Sequence, residues 1–277
     1  AAEKLDNPRV ILFDSLGRML VSETKAGRVS VLEDKDQNGS FESKNTLIEN
    51  LKSPHGLDFY TDPKTKTTYL YIAETHQVAR YSYDVKIGKI LNKTGKSIAN
   101  LPADGRHFTR TVVFGPNFRT SPILGGSIDT LAETKLYMSV GSSCDVCEET
   151  TWKRAAILET DPLGTYTAEF AGGLRNSVFF AFHPVTKEIW ATEMGRDLLG
   201  DDIPPDEINI IEENKNYGWP ICFGKNIHDD KFDTNAYFRN PCMEPFETPS
   251  YIDIPAHSAP LGLAFFPEEG WPEEYWH

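Results

Sequence analysis

Short apolar strands recur along this chain in sets of three, separated by turns of Gly, Pro, Asp and Asn. The set runs through "RVILFD", "RMLVSET" and "RVSVLED", then "HGLDFY", "YLYIAET" and "QVARYSYD". It returns as "RTVVFGP", "KLYMSV" and "RAAILETD", and again as "SVFFAFHP", "EIWATEM" and "DEINIIEE". A further copy opens at Leu261 with "LGLAFFPEEG", and the copies begin near Pro8, Pro54, Thr109, Arg175 and Pro260. Alternating strands in repeated sets predict an all-β propeller, because each small sheet can bury its two faces only against neighbouring copies of itself. A β-sandwich also uses short strands but does not require one phrase to recur, and no amphipathic helical stretch lies between strands to support a βαβ fold.

Composition narrows the function classes. The chain of 277 residues carries 28 Lys and Arg against 41 Asp and Glu, a formal charge of -13. Nucleic acid is therefore not an expected partner, since phosphate binding draws on clustered cations. No apolar run approaches membrane-spanning length. The repeat leads us to expect one propeller domain over residues 1–277. The fifth copy breaks off early, so we expect an incomplete ring with about four to five of its blades present, truncated at the C-terminus and less clearly at the N-terminus, with pairing to a second copy as the other route to closure.

The cysteines are Cys144, Cys147, Cys222 and Cys242. An even number in polar, loop-like surroundings points to disulfides and an oxidising compartment, periplasmic or extracellular. The Cys144-Asp145-Val146-Cys147 pair also fits a redox or zinc motif, but it follows a strand rather than opening a helix and lacks a second close pair. A Cys222–Cys242 bridge would close a loop of about twenty residues.

One region concentrates polar chemistry: Gly173-Leu174-Arg175-Asn176, then Glu193-Met194-Gly195 and Asp206-Glu207-Ile208-Asn209. Together with "GRHFTRTVVF", "KLYMSVGSSCDVCEE", "NYGWP" and "HSAPLGLAFF", these segments resemble the glucose/sorbosone dehydrogenase family, the soluble quinoprotein aldose sugar dehydrogenases. The resemblance extends over nearly the whole chain and is strongest over residues 171–220. It implies a six-bladed propeller that uses pyrroloquinoline quinone and Ca2+ to oxidise an aldose sugar at its anomeric carbon to the lactone, passing electrons to an external acceptor.

The resemblance also implies roles. His107 matches the general base that takes the sugar's hydroxyl proton, a task suited to an imidazole titrating near neutrality. Arg175 and Asn176 match the donors that contact the quinone oxygens. Gly195 and Arg196 match the residues whose backbone carbonyls hold the cofactor's calcium, with Asp206 as a carboxylate behind them. Glu207, with the backbone oxygens of Tyr217 and Phe223, matches a second, structural calcium site. Its remaining acidic ligand is unassigned, with Ile227 at the expected place and Asp229 or Asp230 nearby, and pairing of Glu207 with Lys215 is the plainer alternative. Asp145 is a candidate to orient His107, and His55 to contact substrate or cofactor at the rim.

Two further readings stay open. Asp34-Lys35-Asp36-Gln37-Asn38-Gly39 begins like a calcium loop but carries Asn45 at position twelve, so an Asx-rich turn accounts for it equally well. Glu23, Glu74 and Glu193 end the second strand of their sets. If they faced a common tunnel, a calcium-dependent lactonase would be a rival to the dehydrogenase, and a non-catalytic binding propeller is the third reading.

Overall fold

The computed structural model describes residues 2–119, 134–243, 245 and 247–276. The described residues contain no α-helix, only strands and one 3-10 turn at Glu273–Tyr275. The architecture is all-β and of propeller type, with successive strands folding back antiparallel into four sheets and a separate hairpin.

The first sheet orders β1 (Pro8–Phe13), β2 (Met19–Glu23), β3 (Arg28–Glu33) and β4 (Ser43–Glu49). The second runs β5 (Leu57–Thr61), β6 (Thr68–Glu74) and β7 (Gln77–Asp84), whose outer edge pairs with both β8 (Lys89–Ile90) and β9 (Lys96–Asn100). In the third are β10 (Val112–Pro116), β11 (Thr134–Val140), β12 (Ala156–Thr160) and β13 (Ala168–Gly172). The fourth is built from β14 (Phe180–Phe182), β15 (Ile189–Glu193) and β16 (Asp206–Ile211), is interrupted by the hairpin β17 (Cys222–Phe223) and β18 (Ile227–His228), and is completed by β19 (Ile252–Ile254).

Each set of three strands read from the sequence thus acquires a fourth. These outer strands carry a weak apolar signal because they cover one edge only: in β4, "SKNTLIE", only Leu47 and Ile48 are buried. The run "LGLAFF" expected to open a fifth copy forms no strand; it lies against the fourth sheet, where Thr192 Oγ1 donates to the Leu261 carbonyl at 2.9 Å and Phe265 meets Trp190 edge-on.

Two compact units emerge, residues 1–103 with 108–114 and 160–166, and residues 104–107 with 115–159 and 167–277. The first packs its two sheets around Leu20, Val29, Leu57, Leu70 and Ile72. Full burial of such a side chain is worth roughly 1.5–3 kcal/mol. The second interlocks Phe118, Tyr137, Phe170 and Phe182 at centroid separations of 5.1 to 6.2 Å. Both expected disulfides are formed, Cys144–Cys147 and Cys222–Cys242.

Candidate active site

In the second unit, the segment of Arg106 and His107, the segment that enters β14, the turn that leaves β15 and the start of β16 converge on a cleft of about 260 Å3. His107, Arg175, Asn176, Gly195, Arg196 and Asp206 all line it. Six of the residues singled out from sequence therefore meet in one place.

Backbone economy explains the convergence. Gly173 adopts φ +70°, and a Cβ there would stand 1.9 Å from Asn216 Oδ1, so only glycine lets the chain turn into Arg175. Gly141 follows β11 directly, where a Cβ would sit 2.5 Å from Asn176 Oδ1 and 2.7 Å from the His107 Cβ. The missing side chain is what allows imidazole and amide to approach each other.

His107 is held by Ser142. The Ser142 hydroxyl donates to the Cys144 carbonyl at 2.6 Å, which leaves its oxygen, like the Ser142 carbonyl, as an acceptor 3.0 Å from His107 Nδ1. Nδ1 therefore carries the proton and the lone pair lies on Nε2. Burial first, then the positive charges of Arg175 and Arg106, lower the His107 pKa to about 4, against the opposing pull of the Ser142 carbonyl and Asp145. The near-neutral titration expected from sequence is not what this environment gives; the imidazole is a neutral acceptor at any pH well above 4.

Asp145, read as a partner for His107, serves the arginine. Arg175 Nη2 donates to Asp145 Oδ1 at 2.6 Å and Nε to the Asp145 carbonyl at 2.8 Å, while Nη1 reaches the Met194 carbonyl at 3.1 Å. His55 is corrected as well. It is fully buried in the first unit, its Nδ1 set 3.2 Å from the Arg110 carbonyl, and burial with the charge of Arg9 lowers its pKa to about 4. It is a packed core histidine and not one of the residues lining the cleft.

Asp206 braces the turn expected to carry metal ligands, taking the Gly195 N–H on Oδ1 and the Ala259 N–H on Oδ2, each at 2.7 Å. Glu207, Tyr217 and Phe223 instead line a small cavity of about 30 Å3, which shares Arg175, Gly195 and Arg196 with the cleft. Glu207 does not depend on Lys215: it accepts the Gly224 N–H at 2.6 Å and the Asn209 amide at 2.9 Å. Burial, then Asp253 and Asp206, raise its pKa. Asp229 supplies another acidic group to this cavity, but Arg196 Nε already stands 2.9 Å from Asp229 Oδ2, an ion pair whose angle misses hydrogen-bond geometry.

The three strand-end glutamates share one structural task. Each is buried, and each accepts a backbone N–H from the segment leading into its own sheet: Glu23 from Asp6, Glu74 from Lys52 and Glu193 from Asn176. What differs is the residue opposite on the next strand: Arg28, Gln77 and Glu207 in turn. Burial would raise Glu23, but hydrogen bonds from Arg28, Ser30, Asp6 and Lys44 outweigh it and hold the carboxyl far below its usual range. Glu193, buried and facing the like charge of Glu207, is pushed up to about 8 despite its bonds from Ser177 and Asn176. The Asp34 carboxylate likewise accepts the N–H groups of Asn38 and Gly39, the closed turn that its sequence allowed.

Sequence reasoning passed over Arg106, Asp197 and His257, which also line the cleft. Arg106 and His257 lie inside the phrases "GRHFTRTVVF" and "HSAPLGLAFF", and Asp197 follows Gly195 by two residues. What no local pattern disclosed is that Arg106 and Asp197 pair at 2.7 Å across 91 positions.

Fold and cleft together define a polar-mouthed β-propeller whose donors surround one recess. The chain belongs to the TrAA12-like family, which it matches over residues 1–275. It is 33% identical over 233 residues to an uncharacterized protein of Borreliella burgdorferi, covering 83% of this chain and 56% of that one. It is 26% identical over 240 residues to the pyrroloquinoline quinone-dependent sugar dehydrogenase of Hypocrea jecorina, covering 79% and 54%. A calcium structure of Trichoderma reesei Carbohydrate-Active Enzymes family AA12 superposes with a TM-score of 0.73 at 22% identity, over 94% of this chain and 70% of that chain. The chain spans about half the length of the curated relatives it matches. Among the described residues, no helix is long and apolar enough to cross a membrane.

Proposed function

We propose that this chain carries the active-site cleft of a quinoprotein oxidoreductase that oxidises an aldose at its anomeric carbon to the lactone and passes the electrons to an external acceptor. The observation that carries the reading is the meeting of a neutral, oriented imidazole with a fixed guanidinium and amide in one cleft of about 260 Å3. The residues present would hold an anionic quinone through the N–H donors of Arg106, Arg175 and Arg196, each already paired with a carboxylate of Asp197, Asp145 and Asp229 in turn, and a divalent ion through the backbone carbonyls of Gly195 and Arg196.

When bound, pyrroloquinoline quinone with Ca2+ supplies the two-electron acceptor for the hydride of the anomeric carbon. His107 Nε2 accepts the proton of the hydroxyl on that carbon, and Ser142 keeps Nδ1 protonated so that the correct nitrogen faces the sugar. Arg175 and Asn176 offer donors locked before reaction, which is where electrostatic stabilisation is most effective. Asp206 holds the Gly195 turn in place. The disulfides favour a periplasmic or extracellular setting. The hydrolase alternative loses its support, because each of the three glutamates that suggested it accepts a backbone N–H from the segment leading into its own sheet, Asp6, Lys52 and Asn176 in turn.

The test uses the full-length protein with pyrroloquinoline quinone, Ca2+ and a redox dye. Aldose-dependent dye reduction is expected, and His107→Ala should lower it by at least about a hundredfold while cofactor absorbance is retained. Cofactor binding without turnover in the parent protein, or near-normal turnover in the variant, would refute the assignment.

A further inference from the structure

We propose that the four-residue disulfide ring Cys144–Cys147 is a positioning device that presents Arg175 to the cleft. The ring carries Asp145 between its sulfurs, and Asp145 supplies two of the three hydrogen bonds that fix the guanidinium, one from its carbonyl and one from its carboxylate. A single residue can aim both groups at one planar fork only if its backbone and side-chain torsions are set together. Closing a loop through a covalent bond removes the freedom that would otherwise blur that aim.

The surroundings reinforce it. The Asp145 carbonyl also accepts Trp219 Nε1 at 3.3 Å, and its carboxylate accepts the Asp197 N–H at 3.0 Å. On the other side, the Cys144 carbonyl receives the Ser142 hydroxyl, whose oxygen supports His107. The ring thus stands between the supports of the imidazole and of the guanidinium. Arg196, in the same cleft, pairs with Asp229 and has no tie to the ring among these contacts.

The inference concerns where the guanidinium sits, so it stands apart from the identity of the substrate. Its test is the rate at which phenylglyoxal modifies Arg175 and Arg196 in the full chain, followed by peptide mass spectrometry. In the Cys144→Ser/Cys147→Ser variant, Arg175 should react about tenfold faster, the factor expected when one hydrogen bond to a charged group is lost, while Arg196 keeps its rate. Asp145→Ala keeps the ring and should also accelerate Arg175, and Asp145→Asn, which retains an oxygen acceptor, should restore much of the protection. If the cysteine variant does not fold, the two Asp145 variants alone decide. Equal acceleration at Arg175 and Arg196 would mean that the ring only stabilises the fold, and unchanged reactivity of Arg175 would mean that the ring does not hold it; either result overturns the proposal.

Discussion

Replacing Glu193 by Gln should flatten the pH dependence of this protein's stability. Glu193 is buried and lies directly across β15–β16 from Glu207, so its carboxyl is pushed from 4.5 to about 8. Because the folded value lies above the unfolded one, folding takes up a proton between the two. The contribution is complete below about pH 4.5 and is lost as pH rises through about 8, at ~1.4 kcal/mol per pH unit in between. From about pH 5 to about pH 7.5 the parent chain should lose about 3 kcal/mol of stability through this group alone. Glutamine keeps an oxygen for the Asn176 N–H and does not titrate, and Ser177 Oγ can turn to accept from its amide. Denaturant unfolding of both proteins at the two pH values, in chelator, gives the comparison. Parallel stability curves for parent and Gln variant would show that Glu193 is already ionised in the fold, and the argument from burial and facing carboxylates would fail.

Gly141→Ala should place a methyl against Asn176 Oδ1 and His107, where the ideal Cβ distances are 2.5 and 2.7 Å. Turnover is expected to fall by about tenfold or more with little change in melting temperature, since a displacement below an ångström is enough to misalign reacting groups; kinetics together with thermal melting check this, and full activity would refute it. Cys222→Ser/Cys242→Ser opens a bridge spanning a sequence separation of 20 and should cost about 3 kcal/mol, read as a lower denaturant midpoint. An unchanged midpoint would mean that the hairpin β17–β18 holds this loop without the bond.

The propeller class was legible because the inner strands of each sheet are apolar on alternate residues, and that pattern survives in the linear chain. β4, β9, β13 and β19 were not legible: each covers an outer edge, and a one-sided edge asks little of its side chains. That His107, Arg175 and Asn176 would come together was legible in their phrases, and they line one cleft. Partnerships were not. Asp145 reads from sequence as a candidate to orient His107, and only the three-dimensional aim of its carbonyl and carboxylate decides for the arginine. His55 misled for the opposite reason, since a histidine buried beside a carbonyl and one at a rim are written with the same letter.

In β11, the position that ends β2, β6 and β15 with glutamate holds Val140. Three sheets spend that position on securing their own entry segment; the sheet nearest His107 does not, and Ser142 and the Cys144–Cys147 turn take over the support. A modular scaffold can therefore relax one copy of its fastener while the other copies keep the architecture intact. New chemistry in such a scaffold would be sought first at the repeat that has given its fastener up.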